Sequence, residues 1–85
     1  MPTVLRARGF RVMIFEPPRE HAPPHVHVFR GGAEAVIELS PVRVRTLFGM
    51  RDADAVAARR IVEDEREYLL RRWRQIHGDE TIGRS

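Results

Sequence analysis

The chain of 85 residues contains no cysteine and no lysine. Without thiols it can build neither a disulfide framework nor a thiolate metal site. No apolar run approaches the roughly 20 residues that a helix needs to span a bilayer. The opening Met1-Pro2-Thr3-Val4-Leu5-Arg6 also lacks the apolar core of a signal peptide. A cytoplasmic setting with no membrane contact is therefore the expectation. A domain this short buries only about 60% of the surface its unfolded chain exposes, so one modest core in one domain is all it can build. With lysine absent, arginine supplies all 15 of the Lys/Arg charges, and the net charge is +3. Arginine is the better fork for phosphate and carboxylate, which points toward nucleic acid or an acidic partner. The plainer account is a GC-rich genome that replaces Lys with Arg throughout its proteome.

What is present concentrates around histidine. Three of the four histidines fall within His21-Ala22-Pro23-Pro24-His25-Val26-His27-Val28-Phe29. A strand alternates its side chains, so His25, His27 and Phe29 share one face while Val26 and Val28 share the other. Two imidazoles side by side on a rigid element suit proton transfer or metal ligation near neutral pH.

The flanking sequence predicts a sheet. Residues 3–7 and 10–15 read as strands joined at Arg8-Gly9, where glycine supplies the positive φ of a tight turn. Phe10, Val12 and Ile14 lie on one side of the second strand and Met13 and Phe15 on the other, which implies cover on both faces or a partner. Residues 16–24 hold four prolines, which forbid helix and remove ladder donors, so this stretch is a loop. Arg30-Gly31-Gly32-Ala33 predicts a hairpin between strands at 25–30 and 33–39. A two-residue turn there pairs Val28 with Ala35, Val26 with Ile37, His27 with Val36 and His25 with Glu38. Residues 42–48 are ambiguous, with Arg43 and Arg45 alternating as in a short extended piece.

From Asp52, a good N-cap, to His77 there is neither Gly nor Pro, and Gly78 offers a C-cap. The reading is one long helix, with any interruption near its start. Ala58, Ile61, Val62, Tyr68, Leu69, Trp73 and Ile76 make its apolar stripe. Glu65 falls inside that stripe and, as a buried carboxylate, must find an arginine or backbone partner from the sheet. The expected fold is α+β: an antiparallel sheet of three to four strands with one long C-terminal helix across its Val26, Val28, Ala35, Ile37 face. Residues 1–78 form the domain and 79–85 a frayed tail.

The opening Met1-Pro2-Thr3-Val4-Leu5-Arg6, Pro23-Pro24-His25-Val26-His27-Val28, Leu39-Ser40-Pro41-Val42 and the helix near Trp73 together resemble a family of short bacterial proteins of unknown function. The resemblance spans residues 2–78. Its members carry a similar Pro-Pro-His-Val-His-Val motif and are often encoded beside a second small gene of a helix-turn-helix-associated family. It implies a toxin–antitoxin-like module and a protein partner from the neighbouring gene, and supplies no catalytic residues to carry over.

Several chemistries compete for the histidines. A histidine-triad hydrolase needs a third histidine where Phe29 stands. A metal site would combine His25 and His27 with Glu38 or with His21, and a divalent ion is the only cofactor such a set suggests. Metal-free cleavage of RNA would use His25 or His27 as acid or base, tuned by Glu38 or Glu34, with Arg43 and Arg45, or Arg71, Arg72 and Arg74, holding phosphate. A binding module would present Phe29 and Val36 to a protein partner, since aromatics are enriched at interface cores. Self-association is left open. The default is that the histidines support the sheet by ordinary hydrogen bonds.

Overall fold

The computed structural model describes residues 3–17 and 23–78. Five strands, β1 (Thr3–Ala7), β2 (Phe10–Met13), β3 (His25–Arg30), β4 (Ala33–Leu39) and β5 (Val42–Phe48), are followed by helices α1 (Asp52–Asp64) and α2 (Arg66–His77). The strands form one antiparallel sheet in sequence order, each pairing with its chain neighbours. The α+β class stands, but with five strands and two helices instead of three or four strands and one helix.

Tight turns set the registers. Gly31 has φ +58° while Gly32 does not adopt a positive φ, the pattern of a turn whose first central residue must be glycine. The register follows: His25 faces Glu38, Val26 faces Ile37, His27 faces Val36 and Val28 faces Ala35. Residues 42–48 form a full strand, bent by an irregularity opposite Val36 and Ile37.

One face of the sheet carries Phe10, Val12, Ile14, Val26, Val28, Ala35, Ile37 and Leu39, and the helices bury it with Ala58, Ile61, Val62, Leu69 and Trp73. α1 lies on β4 and β5, and α2 on β4. Fully burying a side chain of this size is worth about 1.5–3 kcal/mol, so this layer supplies most of the driving force. On the other face Met13 is 4% and Val36 7% exposed, so β2 is covered on both sides, as its two apolar faces imply.

The helical segment departs from expectation at both its start and its middle. Arg51, not Asp52, occupies the N-cap and makes no side-chain cap bond; Asp52 and Asp54 sit in the first turn, where acids suit the helix dipole. The interruption falls at Glu65, whose φ of −106° and ψ of 17° end α1 and begin α2. Glu65 is half-buried, and no side-chain hydrogen bond from it to a described residue is seen. Its neighbour Arg66 makes the link to the sheet, donating from Nε to the Leu39 carbonyl at 2.8 Å and from Nη2 to Ser40 Oγ at 3.3 Å. The expected stripe of Ala58, Ile61, Val62, Tyr68, Leu69, Trp73 and Ile76 still packs on the core across the break, and Arg66 takes the role assigned to Glu65. Gly78 caps α2 at φ +77°. Residues 79–85 lie outside the described residues. No helix among the described residues is long and apolar enough to cross a membrane.

Candidate functional site

The histidines stand on the face turned away from Val26 and Val28. Met13 lies opposite His27 on β2 and Val36 opposite it on β4, while Phe29 sits between Arg11 and Glu34. His27 Nδ1 donates to Glu34 Oε2 at 2.6 Å, a diagonal contact across the β3–β4 ladder. The two side chains are 12% and 24% exposed. A short bond to a carboxylate in so dry a setting orients the ring, with Nδ1 as the donor.

His25 is placed differently. Its Nδ1 donates to the Pro23 carbonyl at 2.9 Å, and its ring centroid lies 5.3 Å from that of His27 and 5.2 Å from that of Trp73. Trp73 stacks on His77 at 3.7 Å, His77 Nε2 donates to the Phe15 carbonyl at 2.7 Å, and the Phe15 ring returns to His27 at 4.6 Å. His27, His25, Trp73, His77 and Phe15 thus close a circuit at one end of the sheet. His25 is only 3% exposed, because α2 brings Trp73 around the strand ends to cover it. Alternation alone put both imidazoles on an open face. Only spacing marks His77 in the sequence: it follows Trp73 by four residues and so falls on the same side of the helix.

Glu38 is not presented to the histidines. Its carboxylate accepts from Arg43 Nη2 and from Arg45 Nε, each at 3.1 Å. The hydrogen bond from Arg45 is the main reason that its carboxyl is held below the ordinary value of 4.5; burial opposes this, and the charge of Arg43 reinforces it. Arg43 and Arg45 are therefore partnered within the sheet. Phe29 is half-buried, with the His27 ring 6.5 Å away and the Arg11 guanidinium 5.5 Å above it. Arg71 lies over Tyr68 and Arg72 bonds Gln75. Among the described residues neither these nor Arg74 hydrogen-bond to a strand. Also among the described residues, no three His, Cys, Asp or Glu side chains converge as a metal-holding group, so the set of His25, His27 and Glu38 is not assembled. His21 lies outside the described residues.

Residues 9–74 match the model of a family described as a domain of unknown function, DUF4160. The chain belongs to the DUF4160 family. Within it, the matched stretch runs from the β1–β2 turn into α2 and holds His27, Glu34, His25 and Trp73, while His77 falls just beyond. No curated protein and no solved structure gives a significant match.

Proposed function

We propose that this DUF4160 chain is one component of a two-gene, toxin–antitoxin-like module, and that its own chemistry is histidine-dependent cleavage of RNA centred on His27. The observation that carries the reading is the 2.6 Å bond from His27 to Glu34. A carboxylate on Nδ1 holds the imidazole in one orientation, the role that orienting acids play beside catalytic imidazoles. His27 Nε2 would take the proton from a ribose 2′-hydroxyl as that oxygen attacks the adjacent phosphorus. The 5′-oxygen leaves with a proton from solvent, giving a 2′,3′-cyclic phosphate. Arg11, at the edge of the same face, supplies a cation for the phosphate. His25, packed under Trp73, is a positioning residue that limits how far the His27 ring can turn. The resemblance in the Pro-Pro-His-Val-His-Val segment suggests the two-gene setting.

The test is incubation of purified protein with single-stranded RNA and analysis of the product termini. His27→Ala should abolish cleavage, and any growth arrest on expression, with the circular dichroism spectrum unchanged. Glu34→Gln should slow it by about 10- to 100-fold, the usual cost of losing an orienting partner. Cleavage that survives His27→Ala, or wild-type protein that cleaves nothing, removes the reading.

A further inference from the structure

The two borders of the sheet are unequal. At β1, the residue that interrupts the pairing with β2 is Val4, and its carbonyl accepts from Tyr68 Oη at 3.0 Å, so α2 occupies a backbone group of that border. At β5, among the described residues, no backbone hydrogen bond leads outward from Val42–Phe48, and no side chain bonds to its backbone. An edge of this kind presents alternate N–H and C=O groups to any extended chain that can lie alongside. The same strand carries Leu47, 39% exposed, and Phe48, 55% exposed. Its two guanidiniums share the single carboxylate of Glu38, and the Arg43 side chain is 69% exposed.

We propose that the β5 edge receives an extended acidic segment of another protein, which adds a sixth strand with carboxylates on Arg43 and Arg45 and apolar side chains on Leu47 and Phe48. Charge selects this occupant. A second copy pairing antiparallel about Val44 would set Arg43 against Arg45, and about Arg45 would set that residue against itself; like charges directly opposed destabilise a ladder. In these two central registers the arginines that deter self-pairing are also the ones that attract an acidic strand. Nucleic acid could neutralise the guanidiniums but could not continue the backbone ladder. β5 would lie between the added strand and Glu34, which faces Phe48 across the β4–β5 pair, and the inference does not depend on the chemistry assigned to His27.

The test uses the full chain, labelled with nitrogen-15, and a blocked peptide of alternating glutamate and valine long enough to span β5, with a lysine–valine peptide as its opposite. The glutamate peptide should shift the amides of residues 42–48, slow their exchange with solvent, and bind at least about tenfold more tightly than the lysine peptide. Arg43→Gln with Arg45→Gln should erase that preference, and Arg43→Glu with Arg45→Glu should reverse it. The neutral pair keeps the test valid if charge reversal beside Glu38 unfolds the protein. Equal affinity for both peptides overturns the proposal, as does absence of any β5 shift at about 1 mM glutamate peptide. So does sedimentation as a dimer that the glutamine variants dissolve, or protection of the same amides by a polyuridine oligonucleotide in place of the peptide.

Discussion

Glu38 accepts from two guanidiniums, and its ionisation is tied to both. Its folded pKa lies below the ordinary 4.5, so its contribution to stability is fully present above that value and is lost as pH falls through the lower, folded one. Arg45→Ala removes the larger of the lowering influences. The Glu38 titration should then move up toward the ordinary carboxylate range, as read by carbon-13 NMR of its carboxyl group; an unmoved midpoint would mean that Arg43 alone holds the charge. At this scale the sequence was only half informative. The Gly31-Gly32 turn fixed which residue faces which, so His25 against Glu38 and His27 against Val36 were readable. Which carboxylate would reach which base was not, because β5 was ambiguous and its arginines claim Glu38, leaving diagonal Glu34 to His27.

The β1–β2 turn illustrates how an element can be right in kind and imperfect in detail. Arg8 and Gly9 both have positive φ, +53° and +84°, and glycine accepts this freely whereas arginine does not. Arg8→Asn should therefore raise stability by up to about 1 kcal/mol, since asparagine tolerates this region; a fall in the denaturation midpoint would show that the Arg8 side chain contributes more than the backbone relief. At the helix break the expectation is opposite. Arg66→Ala removes the bond to the Leu39 carbonyl and should cost about 1–2 kcal/mol in urea unfolding, while Glu65→Ala should stay within about 0.5 kcal/mol. Equal losses at the two positions would restore Glu65 to the linking role. The break was illegible because neither glycine nor proline marks it, and no local residue announces it.

Trp73 ties the molecule together, touching His25 on β3 and His77 in the last turn of α2, and it is fully buried. Trp73→Ala should cost about 3–5 kcal/mol, a large share of the roughly 5–15 kcal/mol that holds a domain together, and should release His25 to solvent, visible as faster exchange at its ring. A small loss with the His25 ring still protected would mean that other groups seal the strand ends. The core face was legible because alternation and helical spacing both report it. The sealing of the opposite face was not, since a helix reaching around strand ends leaves no period in the sequence. The long-range ties from Val4, Phe15, His25 and the Leu39 carbonyl all end on α2, and α2 follows every strand in the chain. During synthesis the five strands leave the ribosome in pairing order, able to zip from neighbour to neighbour, with their apolar face still bare. The nascent sheet is a half-finished sandwich until the segment 66–77 emerges, so the span between those two moments is when this protein is most exposed to chaperones and to aggregation.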